Sequence, residues 1–216
     1  MKIDILVLGD FQTNCYCVRS DGQTRHCLVI DPGLDAAPLV QFLDEEGLEP
    51  EVIVLTHGHV DHLAGVEMLR ERWPSVKVGI HRKDAAMLTD PARNLSMLAG
   101  TMTSARPAEI VFDRDETVKL AGMEFCLLHT PGHTPGGICL YSEKEGLVFV
   151  GDTLFAGSVG RTDFEGGSFG QLMESIRTKL LTLPETTKVY PGHGPATTIR
   201  NEKRFNPFLN GTEEDF

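Results

Sequence analysis

Nothing in this chain of 216 residues offers a polyanion a place to bind: 20 Lys and Arg stand against 31 Asp and Glu, the net charge is −11, and no stretch concentrates the basic residues. Phosphate neutralisation dominates nucleic-acid affinity, so nucleic acid drops out as a partner, and anionic membranes with it. Long hydrophobic runs are missing too. The start "MKIDILVLGDFQTNCYCV" alternates apolar and polar residues, with Lys2 and Asp4 interrupting, and lacks the apolar core of a signal peptide or membrane helix. A soluble, cytoplasmic protein is expected. The five cysteines, Cys15, Cys17, Cys27, Cys126 and Cys139, are odd in number and lack the paired spacing of a disulfide framework or a Cys-rich zinc site. They read as reduced packing residues. Internal repeats and low-complexity tracts are also absent. With 41% hydrophobic residues the chain can bury one sizeable core, so a single domain over 1–216 is expected, with 198–216 as a short C-terminal segment.

What is present is a series of short apolar or alternating runs, at residues 3–8, 15–18, 27–30, 52–55, 76–80, 124–128, 137–141, 147–150 and 188–190. Most are followed at once by Gly, Pro, Asp or His, the punctuation of strands. Three helical patterns lie among them. Asp35 reads as the N-cap of a helix carrying Leu39, Phe42 and Leu43 and closed by Gly47; Leu63, Val66, Leu69 and Trp73 recur at helical spacing up to Pro74. Ser168 and Gln171 form a capping-box pattern before Leu172, Met173, Ile176, Leu180 and Leu183, which stops at Pro184. Residues 89–109 read as loop with room for a short helix, and the acidic tail "NGTEEDF" as frayed. Strands both in hairpin-like succession and alternating with helices predict two sheets with helices packed outside them.

The chemistry concentrates in "THGHVDH", residues 56–62, directly behind the apolar run 52–55. Alternate positions of an extended loop point the same way, so His57 and His59 can converge on one cation, while Asp61 and His62 are offset toward a second. Three later motifs have the same form: "HTPGHT" places His133, "VFVGDT" places Asp152 and "VYPGHG" places His193, each in a Gly/Pro-rich turn just past an apolar run. Five of the eight histidines fall in this set. The count fits two metal ions: His57, His59 and His133 around one, Asp61, His62 and His193 around the other, and Asp152 bridging. Nitrogen and oxygen donors without thiolate suit zinc and also admit iron or manganese. Two such cations can activate water near neutral pH and polarise a carbonyl, a combination that hydrolyses acyl compounds.

"THGHVDH", "PGHTPGG", "VGDTLF" and "YPGHGPAT", in this order, resemble the metallo-β-lactamase fold superfamily, and within it the short glyoxalase II-like hydrolases of bacteria. The resemblance spans residues 1 to about 209. It implies an αββα sandwich of two mixed β-sheets with helices on the outer faces and a metal site along one sheet edge. It also implies a dinuclear hydrolase acting on thioesters of small acids, with S-lactoylglutathione as the reference substrate, an acyl-thiol as the small-molecule partner and Asp61 orienting the attacking water. Asp31, in "VIDPG", would brace the ligand loops, although a plain turn is equally consistent, and "QTNCY" at 12–16 would border the site.

Other residues admit two readings. Arg161, in "SVGRTDFEGGS", either meets substrate or pairs locally with Asp163; His81, at another strand end, is either a wall of the site or a surface residue. His129 is expected in a structural hydrogen bond rather than on a metal, and His26 in a solvated hairpin turn. The chain departs from full-length glyoxalase II enzymes where their Lys and Tyr for glutathione are replaced by Arg161, Thr162 and Asp163, and where residues 194–216 leave room for one short helix instead of a helical domain. Glutathione recognition is therefore open, while thioester hydrolysis is expected. The rival is a persulfide dioxygenase, which shares the fold and a similar "GRTDF" loop but uses one iron held by two His and one Asp; a lactonase makes the same demands on the metals. Zinc β-lactamases commonly place Cys where Asp152 stands, flavo-diiron proteins place Glu where His59 stands, and nucleases of this fold add a domain and a basic face.

Overall fold

The alternation of the apolar runs becomes layering in the computed structural model, which describes residues 1–21 and 25–210. Strands β1 (Lys2–Leu8), β2 (Thr13–Arg19), β3 (His26–Ile30), β4 (Glu49–Val54), β5 (Lys77–His81) and β6 (Ile110–Phe112) lie side by side in that order. The pairs from β1 to β3 are antiparallel and those from β3 to β6 parallel. A second sheet contains β7 (Glu116–Leu120), β8 (Met123–His129), β9 (Ile138–Ser142) and β10 (Leu147–Gly151). After a small ribbon, β11 (Leu154–Phe155) with β12 (Ser158–Val159), it is completed by β13 (Lys188–Pro191) and β14 (Thr197–Thr198), in the order β14-β13-β10-β9-β8-β7. Only β10 and β13 pair in parallel there. Both sheets are mixed, as expected.

Period-two alternation sends successive side chains to opposite faces. Tyr16, Val18, Leu28, Ile30, Val52 and Val54 of the first sheet meet Phe125, Leu127, Leu140 and Phe149 of the second in the central core. The intervening residues face outward. Cys15, Cys17, Cys27, Val29 and Ile53 pack against helices α1 (Ala37–Glu45), α2 (Val60–Leu63) and α3 (Val66–Arg72). Cys139, Val148, Val150 and Val189 pack against α4 (Phe169–Ser175) and α5 (Ile199–Phe205), which α6 (Pro207–Asn210) follows. This is the four-layer αββα sandwich. All five cysteines are free thiols; four are buried and Cys126 half-buried. Among the described residues no helix is long and apolar enough to cross a membrane.

Local expectations were corrected in several places. Asp35 does not cap α1; it sits at φ 54°, and Ala36 precedes the helix without a side-chain cap. The helix expected over Leu63 to Trp73 breaks into α2 and α3 at Gly65, where a Cβ would lie 2.6 Å from Ala36 Cβ and 2.7 Å from Pro32 O. Ser168 Oγ accepts the Gln171 amide at 3.4 Å, but the Ser168 amide donates to Gly132 O at 2.8 Å, so only half the capping box forms. The helix then widens into a π-turn over Ile176–Leu180. A 3-10 turn, Ala85–Thr89, precedes the turn-rich stretch 90–109, and the C-terminal segment forms two helices rather than one. His26 begins β3 instead of sitting in a turn. The acidic tail from residue 211 lies outside the described residues. β6 and β7, absent from the sequence reading, are edge strands whose half-exposed alternation leaves a weak signal.

The two sheets approach closely where β10 ends beside the residue that follows β4. Gly151, at φ +49°, faces Thr56 so closely that an added Cβ would collide with its Oγ1 and lie 2.6 Å from its Cβ. Gly151→Ala combines left-handed strain with overpacking and should lower stability by about 2–4 kcal/mol. Urea unfolding measures this; a loss under about 0.5 kcal/mol would show that the sheets can part here without cost.

Candidate metal centre

β3, β4 and β5 run parallel in one sheet and β10 and β13 in the other, with β8 in the same direction through two antiparallel steps. Their carboxyl ends form one rim. Asp31 follows β3, His57 follows β4, His133 follows β8, Asp152 follows β10 and His193 follows β13. Loops at strand ends can place side chains without interrupting the ladders, which is why the ligand-type residues collect here.

His57 Nε2, His59 Nδ1 and His133 Nε2 form a triangle with edges of 3.1, 3.0 and 3.2 Å. Asp61 Oδ2 lies 3.4 Å from His62 Nε2 and 3.2 Å from His193 Nε2. Asp152 stands between the groups: Oδ1 is 3.4 Å from His62 Nε2, and Oδ2 is 3.6 Å from both His133 Nε2 and His193 Nε2. The seven residues anticipated from the strand-end motifs are thus brought together. They make up three overlapping groups, each with its ligand atoms within 4.8 Å of one another.

The far ring nitrogens show which face of each imidazole is presented. His133 Nδ1 lies 2.7 Å from Arg161 O and His193 Nδ1 lies 3.0 Å from Phe11 O. A carbonyl only accepts, so both Nδ1 atoms carry the proton and both Nε2 lone pairs face the cluster. Thr56 Oγ1 donates to Asp31 Oδ2 at 2.7 Å and can accept from His57 Nδ1 at 3.2 Å, leaving His57 Nε2 as a base. Asp31 also accepts the Thr56 amide at 2.8 Å and lies 2.9 Å from His62 Nδ1. The bracing role is the one its contacts show.

Electrostatics divides the cluster in two. Burial holds the His57 imidazole well below its ordinary pKa, with His62, His133 and His59 adding to the effect. Burial, then His133, takes His59 down to about 3. These nitrogens are neutral, as metal ligands must be. Burial opposes charge on His62 too, but Asp61, Asp31 and Asp152 outweigh it and raise its pKa; the Asp61 carboxylate, as acceptor for a protonated His193 ring, raises that pKa against its burial in the same way. Burial works against ionised Asp61 and Asp152, yet His62 above all holds both below the usual carboxylate range. The residues fit a resident metal pair. His62 Nε2 and Asp152 Oδ1 are buried without a hydrogen bond, which is costly unless a cation takes those lone pairs, and the imidazole triangle lets three nitrogens reach one ion at about 2.0–2.1 Å.

The surrounding shell contains residues that carried no motif. Asp84, fully buried, accepts from Gly58 N at 3.2 Å, Thr134 Oγ1 at 2.6 Å and Gly136 N at 2.7 Å, strapping the His57–His59 loop to the His133 loop. Burial raises its pKa even so. Asn14 Nδ2 donates to Pro191 O at 3.0 Å and Gly194 O at 2.8 Å, and Thr13 Oγ1 lies 3.3 Å from Asp61 Oδ2, so the "QTNCY" segment does border the site. His129 is structural, with Nε2 3.0 Å from Pro135 O. His81 does not reach the site cavity. It is buried, stacked on His129 at 4.1 Å, and its Nδ1 accepts from Lys83 N at 3.3 Å, so it is neither site wall nor surface residue. Arg161 lines the cavity, but Asp163 closes on its guanidinium at 3.0 and 2.7 Å and its charge lies 4.6 Å over Phe164.

Removing the Asp84 strap leaves three buried donors without an acceptor. Asp84→Ala should lower stability by about 2–4 kcal/mol and weaken metal binding about 10- to 100-fold. Competition with a chelator reads the metal affinity, and an unchanged value would reduce Asp84 to a fold-only role.

Comparison with known proteins agrees with this geometry. The chain is 38% identical over 211 residues to the hydroxyacylglutathione hydrolase GloC of Haemophilus influenzae, covering 97% of this chain and 99% of that protein. The solved structure of the BLEG-1 B3 metallo-beta-lactamase superposes with a TM-score of 0.93 at 42% identity, covering 97% of this chain and all (100%) of that one. TTHA1623 in a di-iron-bound form superposes with a TM-score of 0.83 at 38% identity, covering 95% and 100%. With residues 8–193 matching that family as a whole, the chain belongs to the metallo-beta-lactamase superfamily.

Proposed function

We propose that the protein is a dinuclear metal-dependent hydrolase of small-acid thioesters, with S-lactoylglutathione as the reference substrate. The observation that carries this is the convergence of seven nitrogen and oxygen ligands in two adjoining groups, with Asp152 between them, beside a cavity of about 500 Å³. His57, His59 and His133 would hold one ion, Asp61, His62 and His193 the other, and Asp152 both. Bound there, two cations supply a water whose pKa falls from 15.7 toward about 7 and an electrophile for the carbonyl oxygen.

The chain's own groups do the positioning. Asp61 Oδ2 is engaged by Thr13, His62 and His193, which leaves Oδ1 to accept a hydrogen bond from the attacking water and aim its lone pair. The cavity's described lining offers no acid apart from the ligand residues themselves. A thiolate leaves without one, since thiols ionise near pH 8.5, whereas an amine leaving group would need a proton. The likeness to GloC supports the same substrate class. Zinc suits the ligand set, and the di-iron relative supports iron as the alternative. Seven ligands exceed the two His and one Asp of a mononuclear dioxygenase, which ranks that reading below the hydrolase, while the likeness to ETHE1 from Myxococcus xanthus, 30% identical with a TM-score of 0.80, supports it as an alternative. The likeness to BLEG-1 favours β-lactam hydrolysis as the second reading.

Elemental analysis should find close to two metal ions per chain, and one ion at saturation would overturn the dinuclear assignment. Asp152→Ala should lose both ions and activity together, while Asp61→Asn retains the ion of the imidazole triangle. The metal-loaded protein should hydrolyse S-lactoylglutathione, lose that activity to a chelator and regain it with metal. Hydrolysis of a chromogenic cephalosporin without any thioester turnover would install the β-lactam reading instead.

A further inference from the structure

The cavity beside the cluster is walled unevenly. Its polar lining consists of the ligand-type residues and Arg161, whereas Phe11, Leu95, Leu98, Ala99, Phe155 and Phe164 make an apolar wall. Leu98 is 81% exposed and Phe11 51%, so these side chains contribute little to the core. Large apolar groups left in water at the mouth of a cavity mark a binding surface more readily than a folding one. Among the described lining residues there is no lysine, and the one arginine is already paired with Asp163. Away from the ions that the cluster would hold, a carboxylate on the substrate would give up water here for no unpaired cation, which is unfavourable.

Leu95, Leu98 and Ala99 come from one loop, residues 90–103, and that loop is held in place. Buried Asn94 donates from Nδ2 to Met87 O at 3.0 Å and Thr103 O at 2.9 Å, and its Oδ1 accepts the Ser96 amide at 2.9 Å. Its own carbonyl accepts from Val60 N at 2.8 Å, between His59 and Asp61, so the loop hangs from the ligand segment itself. Leu95 sits at φ +67°, a conformation unfavourable for leucine, at the point where the loop turns toward the cavity.

Resting on the hydrolase reading above, we propose that this loop selects thioesters carrying an apolar, uncharged group, in preference to the thioester of glutathione. The apolar group can belong to the thiol half or the acyl half, and the two are separable. One series holds the lactoyl group constant on ethanethiol, butanethiol and hexanethiol, with S-lactoylglutathione beside it. The other holds the neutral thiol N-acetylcysteamine constant under acetyl, butanoyl and hexanoyl groups. In at least one series kcat/KM of the metal-loaded protein should rise about two- to four-fold per methylene, as burial of each methylene predicts. Leu98→Asp, at an exposed position, should cut the preference for the longest member over S-lactoylglutathione by about ten-fold, through KM, with two metals still bound. Flat series, or a preference the variant leaves intact, overturn the proposal while the hydrolase reading stands. Should no thioester be cleaved, the hydrolase reading fails, and calorimetry with hexanethiol and glutathione still decides the loop's role. Tighter hexanethiol binding that Leu98→Asp weakens supports it, and equal affinities overturn it.

Discussion

The carboxylate of Asp31 is the contact on which the rim depends. Almost fully buried at the end of β3, it accepts both the amide and the hydroxyl of Thr56, at 2.8 and 2.7 Å, and lies 2.9 Å from His62 Nδ1. A charged acceptor makes such bonds worth about 1.5–3 kcal/mol each, against about 0.5–1.5 for neutral ones. They set the direction in which the chain leaves β4, and so the positions of His57 and His59. His62 stands at the other end of the same segment, and its contact with Asp31 fixes the ring whose Nε2 faces Asp61 and Asp152. Asp31 itself adopts φ 53°, strain that its buried partners sustain.

From that brace follows the contrast between the two halves of the cluster. In the imidazole triangle, burial and mutual repulsion outweigh the pull of Asp61 and keep His57 and His59 neutral. The other half is crowded by Asp31, Asp61 and Asp152, so His62 and His193 attract protons, while Asp61 and Asp152 give them up. The motif at 56–62 supplies donors to both halves, His57 and His59 to one and Asp61 and His62 to the other, because the extended strand end and the short helix that follows it send their side chains in different directions.

The parts of this arrangement that can be read from sequence are those encoded locally. His133, Asp152 and His193 each follow an apolar run and sit in a Gly/Pro turn, so residue type and strand end coincide in the chain. The four-layer fold was legible for the same reason: Cys15 and Cys17 alternate with Tyr16 and Val18, and the two sets face different layers. What stayed hidden depends on distant partners. Position 65 demands glycine only because Pro32 and Ala36 approach it, and Asp84 acts only because three donors from two other loops meet its carboxylate. In the sequence it is one acid after "HRK", without a neighbour to betray it. His81 misled for the converse reason: its strand end lies on the same rim, yet its ring turns away to stack on His129. Half of the apolar wall, Leu95, Leu98 and Ala99, came from a stretch whose weak periodicity reflects turns, not a lack of order.

Two of the cluster's histidines are steadied by main-chain oxygens, His133 by that of Arg161 and His193 by that of Phe11. Any amino acid supplies a carbonyl. Side chains at positions 161 and 11 line the cavity and can therefore be exchanged over evolutionary time without disturbing the hydrogen bonds that set the two rings. Catalytic core and substrate taste are thereby uncoupled at these positions, which gives a lineage built on this scaffold a route to new substrates that leaves its inorganic chemistry untouched.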